Sequence, residues 1–167
     1  EIGSEGNTGM QSAFFKYFVA DIAASFGEEC RHVLSNSVCL SADVNVAYDP
    51  LYSDVVEIRN CAELNHGVAL TKYTGSRGKV DTSDASAEFM AMIRKLMDDN
   101  NVLWQIGELG KVDVGGGGTV AKYIADLDVD TVDMGVPVLS MHSPFEVVSK
   151  LDVYMAHKAF ATLFGRK

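Results

Sequence analysis

No stretch of about 18 consecutive apolar residues occurs in this sequence, so a membrane-spanning helix is not expected. Basic residues are scarce: 14 Lys and Arg stand against 23 Asp and Glu, a net charge of −9. A phosphate backbone is held by surplus cations, so nucleic acid is not an expected partner. Cysteine is sparse too. Cys30, Cys39 and Cys61 follow no zinc-ribbon spacing, and an odd number cannot all pair within one chain. The expectation is three buried, inert thiols in a reducing cytoplasm. The first residues, Glu1-Ile2-Gly3-Ser4, carry neither an initiator Met nor a charged-then-apolar leader. They give no expectation of secretion, and their abruptness suggests missing upstream sequence. No repeat, linker or low-complexity stretch divides the 167 residues, which are enough for one domain with a real core.

What is present is an alternation of helical and strand-like segments. Met10, Phe14, Phe18 and Ile22 recur every four residues and predict a helix ending at Gly27. Residues 37–40, 68–71, 102–106 and 136–141 predict strands, the last of them the final strand, with Pro137 at its beginning or on an edge. Asp81, Thr82, Ser83 and Asp84 offer caps for a helix carrying Phe89, Ile93, Leu96 and Met97. A short helix is expected from about Thr119. Ser143, Pro144 and Glu146 have the spacing of a capping box, predicting a last helix whose stripe is Val148, Leu151, Met155, Ala159 and Leu163. Together these segments predict an α/β fold, a sheet with helices on its faces.

In such sheets ligands gather beyond the carboxyl ends of strands. Asp43 follows the strand ending near Leu40, and His142 lies between the last predicted strand and the last helix. Both are zinc-ligand types. His32, His66 and His157 fall in polar loops or mid-helix. The run Gly115–Gly118 lets a backbone approach a neighbour closely, or cradles an anion, although the Lys-Ser/Thr of a phosphate-binding loop is missing. A nucleotide-binding domain using this run therefore stands as an alternative.

Four segments taken together resemble the aminopeptidase I and aspartyl aminopeptidase family of zinc metallopeptidases. Glu1-Ile2-Gly3-Ser4 looks like the end of its Asp-X-Glu-Glu-Ile/Val-Gly-Ser motif, and Ser41-Ala42-Asp43 resembles its Ser-Ala-Asp ligand motif. Gly67 through Ala87, containing Thr71-Lys72-Tyr73-Thr74-Gly75-Ser76-Arg77-Gly78-Lys79, is similar to the family's bacterial branch. Met141-His142-Ser143 with Glu146 matches its Met-His-Ser segment. The segments occur in the family's order across essentially the whole chain.

The resemblance implies a three-layer helix–sheet–helix zinc-exopeptidase fold, incomplete at its N-terminal side. Residues 1–167 would be the C-terminal portion of one catalytic domain, without the upstream half or the inserted dimerisation domain. It implies two zinc ions per subunit, with Glu1 and His142 on one and Asp43 on the other. The general base would be the Glu immediately before Glu1, outside this sequence. Two metals acidify a shared water and polarise the scissile carbonyl, and the carboxylate base moves the proton to the leaving amine. Lys72, the loop to Lys79, and Gly117 would line the substrate site. The partners implied are peptides and further copies of the chain, a homo-oligomer built from dimers. A non-catalytic α/β binding or assembly protein that keeps the fold without the site is the other alternative.

Overall fold

The computed structural model describes residues 6–77, 80–111 and 113–166. Helix α1 (Phe14–Ser25) leads into α2 (Cys30–Ser35), then strands β1 (Val38–Ser41) and β2 (Asn45–Val46). After two 3₁₀ turns come β3 (Val68–Thr71), β4 (Tyr73–Ser76), β5 (Val80–Asp84) and helix α3 (Ala87–Asp99). Strands β6 (Trp104–Ile106) and β7 (Gly116–Gly117), helix α4 (Ala121–Ala125), strands β8 (Asp130–Gly135), β9 (Pro137–Leu139) and β10 (Val147–Val148), and helix α5 (Lys150–Phe164) complete the order.

The main sheet runs β1-β8-β3-β6. β1 lies parallel to β8, β8 antiparallel to β3, and β3 parallel to β6. Side chains alternate between the faces of a strand, and that alternation separates core from site. Val38, Leu40, Val68, Leu70, Val132 and Met134 share one face, where α3 and α5 cover them with Phe89, Ile93, Met97, Met155 and Ala159. Cys39, Ser41, Thr71 and Asp133 occupy the intervening positions and so share the opposite face, against which α4 packs. Helices on both sides of one sheet make the three-layer arrangement expected from the sequence.

Several local expectations are corrected. Residues 80–84 are not caps but strand β5, and the cap of α3 is Ser86, whose Oγ accepts from the Phe89 amide at 3.1 Å. The capping box at 143–146 does not open a helix. Val147 and Val148 instead pair with Leu139 and Val138, so 136–141 does not hold the last strand, and Ser149 caps α5 by accepting from the Leu151 amide. Strand pairing prevails there because the pairs continue a sheet that a helix turn would leave unfinished. Pro137 does begin its strand, as expected. The apolar face of α1 exists, yet Phe14 is 72% and Phe18 54% exposed, so it turns away from the core. The three cysteines are unpaired but half-buried rather than buried. Burial, then the charge of Asp133, pushes the Cys39 thiol up, while burial and then Glu63 take Cys61 to about 11. No helix among the described residues is long and apolar enough to cross a membrane.

One buried carboxylate ties the last helix to the sheet. Asp152, fully buried in the first turn of α5, accepts from the Asn65 and Gly67 amides, both at 2.7 Å. Removing it leaves the buried Gly67 amide without an acceptor and takes away the partner of the part-buried Asn65 amide. Asp152→Ala is therefore expected to cost about 3 kcal/mol; a chemical-denaturation midpoint equal to that of the unsubstituted chain would contradict this.

Candidate active site

A cavity of about 1010 Å³ opens on the sheet face opposite the core. Asp43, beyond the end of β1, and His142, beyond β9, both line it, together with Gly116, Gly117, Gly118 and Lys122. Two zinc-ligand types from distant parts of the chain thus reach one hollow, as the strand-end argument anticipated. Glu1 lies outside the described residues. Among the described residues no group of three His, Cys, Asp or Glu side chains has the arrangement of a metal site. The donors present, one carboxylate and one imidazole, are those zinc takes. His32, His66 and His157 do not line the cavity.

Each donor is fixed by local backbone. β8 and β9 are almost one strand, and the chain then turns through Ser140 and His142, both in the left-handed region at φ 58° and 68°. His is enriched there compared with most residues, and strain of this kind collects at functional sites. The turn is held by the His142 amide, which donates to Glu146 Oε1 at 2.6 Å, and by Ser143, which donates to the Phe145 carbonyl at 2.7 Å. Glu146 therefore steadies His142 directly and not through a helix start. Asp43 is held from behind. A Cβ placed on Gly135 would lie 1.7 Å from the Asp43 carbonyl oxygen, so β8 supports the Asp43 backbone at the one position that carries no side chain.

The glycine run forms the facing wall. Gly116 and Gly117 pair with Ser76 and Gly75 as an edge strand, and Gly116 sits at φ 87° where a Cβ would meet the Gly75 oxygen at 2.4 Å. This is the close backbone approach read from the sequence. The run is a paired strand, and the five-residue helix α4 does not begin until Ala121, an arrangement unlike a phosphate loop. Gly117 itself faces open space, with nothing within 4 Å of an added Cβ. Lys72 lies apart from the cavity lining; its ammonium is ion-paired with Asp84.

The chain resembles known proteins over nearly its whole length. Residues 1–164 match the family described as "Aminopeptidase I zinc metalloprotease (M18)". The chain belongs to this family. A probable M18 family aminopeptidase 1 of Thermotoga maritima is 45% identical over 171 residues, covering 99% of this chain and 38% of that protein. One of Clostridium acetobutylicum is 46% identical, covering 99% and 36%. The crystal structure of the M18 aminopeptidase from Thermotoga maritima superposes with a TM-score of 0.92 at 45% identity, covering 97% of this chain and 37% of that one. The chain thus spans just over a third of the aminopeptidases it matches.

Within this M18 chain the sequence reading missed the groups behind the cavity wall. Asp133 is 4% exposed on β8, where its Oδ2 accepts from the Thr119 hydroxyl at 2.6 Å. The signal was an acid between Val132 and Met134, pointing away from the apolar face. Lys122, which lines the cavity, pairs with Asp81 at 2.6 Å, and that hydrogen bond raises its ammonium. Burial pushes the Asp133 carboxyl up to about 6, with the charge of Asp43 adding to the rise and the hydroxyls of Ser41 and Thr119 opposing it.

The sign of the consequence follows from linkage. Folded Asp133 keeps its proton to about pH 6, whereas the unfolded chain releases it near 3.8. Between those values the folded state binds more protons, so its stability falls as pH rises through the window. In metal-free protein, lowering the pH from 7 to 5 is expected to stabilise the wild type by about 1 kcal/mol more than Asp133→Asn. Urea denaturation in chelator at both pH values measures this, and equal changes in the two proteins would refute it.

Proposed function

We propose that this chain carries part of the active site of a zinc-dependent aminopeptidase that releases N-terminal residues from peptides. The observation that carries the reading is that Asp43 and His142 line one cavity faced by an unobstructed backbone strand. On this reading His142 and Glu1 hold one zinc and Asp43 the other, and zinc supplies Lewis acidity toward the scissile carbonyl and the attacking water. The chain's own residues then act as holders. Glu146 fixes the His142 backbone, Gly135 seats Asp43, and the edge strand at Gly117 lies alongside the extended substrate. The general base is the Glu expected just before Glu1. Peptide substrates, a homo-oligomer built from dimers, a cytoplasmic location and the role of Lys72 rest on the family resemblance.

The test is hydrolysis, by the zinc-loaded full-length protein that contains this chain and the Glu expected before it, of peptides with free and with acetylated N-termini. Cleavage of the free series alone, lost with a chelator and restored by zinc, is the expected result. Cleavage of both series, or none by protein of full zinc content, would overturn the reading. Bound zinc also separates it from a non-catalytic assembly protein, which would hold none.

Gly117 offers a sharper check. Its φ is not in the left-handed region and its Cβ direction is empty, so a side chain costs the fold little. Gly117→Val projects into the space assigned to substrate and is expected to raise KM about 10-fold, with melting temperature nearly unchanged. An unchanged KM would remove Gly117 from the substrate site.

A further inference from the structure

The cavity's two walls refer back to the same strand. On β8, Gly135 receives the Asp43 backbone, and Asp133, two residues earlier on the same face, receives Thr119 at the end of the glycine run. Two such positions are about 7 Å apart along a strand. Asp133 is also the middle of a polar row, buried at Thr71 and half-buried at Ser41. Its register partners are Ser41 on β1 and Thr71 on β3, and Thr71 Oγ1 accepts from Asn45 Nδ2 at 2.6 Å. Directly opposed residues project to the same face, so the row lies under the cavity and not in the apolar core.

The glycine wall cannot anchor itself, having no side chains from 115 to 118. One end is tied by the Arg77 amide donating to the Gly115 carbonyl at 2.8 Å and by pairing with β4. The other end is tied by Thr119, only 7% exposed, whose hydroxyl donates to Asp133. A charge-assisted hydrogen bond in a site closed to water has no cheap substitute. Without it the wall keeps its pairing at Gly116 and Gly117 but loses its fixed distance from Asp43.

Building on the aminopeptidase reading, we propose that Asp133 is a positioning residue which, through Thr119, sets the width of the substrate cleft between the glycine wall and Asp43. It touches neither metal nor substrate. Its effect is therefore on substrate binding more than on the chemical step, and on the order of the wall whether or not substrate is present.

The test compares Thr119→Val, which keeps the shape and removes the hydroxyl, with Thr119→Ser, which keeps the hydroxyl. In the zinc-loaded protein T119V is expected to raise KM about 10-fold with kcat changed less than about 3-fold, the loss of one hydrogen bond to a charged group. Amide hydrogen exchange of Gly116–Thr119 should quicken about 10-fold in T119V, while T119S matches the wild type in both measurements. Should T119V fail to fold, Asp133→Asn, with a neutral acceptor in place of the charged one, carries the same test with a rise in KM of about 3-fold. A lowered melting temperature with unchanged KM, or unchanged exchange at Gly116–Thr119, would overturn the proposal. The two readings fail separately. Wild-type protein that cleaves no peptide sinks the peptidase reading, and the exchange measurement then decides whether Asp133 orders the wall.

Discussion

His142→Ala is expected to reduce zinc affinity by more than about 100-fold and peptide hydrolysis to background. Partners that merely steady a ligand cost 10- to 100-fold in metal affinity when lost, so the ligand itself costs more. Alanine also relieves none of the local geometry, because position 142 sits at φ 68°, a conformation that strains a residue with a Cβ and that His tolerates better than most. The turn is held from outside by Glu146 on the 142 amide, a bond that survives the substitution. The fold should therefore persist, with a melting temperature for metal-free protein close to that of the wild type. Titration of zinc into both proteins by calorimetry checks this. Equal affinities would remove His142 from the site.

Gly135→Ala is expected to be as damaging through the backbone. The new Cβ would lie 1.7 Å from the Asp43 oxygen and 2.6 Å from its carbonyl carbon, distances that no rotamer change relieves because the obstacle is main chain. Either β8 shifts out of register with β1, or the Asp43 segment is pushed off its seat. The cost is expected to be about 3 kcal/mol or more, together with loss of the zinc that Asp43 would hold. Gly117→Val is the internal control: a larger side chain at a glycine with empty space beside it, expected to spare stability and change only substrate binding. If G135A melted with the wild type, Gly135 would not be the seat of Asp43.

Much of this architecture was legible in the residues because it rests on local signals. Gly27, at φ 75°, ends α1 where the periodicity stops. The apolar spacing of Phe89, Ile93 and Met97 is the buried stripe of α3. Asp43 and His142 could be singled out because each is a ligand-type residue just past an apolar run, and β8 runs parallel to β1 as β9 does to β2, so the two runs end toward one edge. What misled was also local. Ser143, Pro144 and Glu146 satisfy every rule for a helix start, but the two valines that follow complete a strand pair with β9, and that long-range pairing outweighs the cap. Glu146 still serves His142, by bonding its amide. Asp133 was invisible for the opposite reason: its strand is buried on both faces, so its acids read as interruptions when one of them points to a polar layer under the cavity. The exposed face of α1 shows a further limit. Periodicity reports an apolar stripe, not what covers it.

Whether Asp43 and His142 hold metal at one cavity is read directly by anomalous diffraction at the zinc edge from crystals of the zinc-loaded full-length protein. Two peaks are expected in this cavity, one about 2.0–2.1 Å from a ring nitrogen of His142 and one about 2.0–2.2 Å from a carboxylate oxygen of Asp43. Peaks elsewhere with neither side chain in contact, in crystals whose zinc content is confirmed, would contradict this assignment.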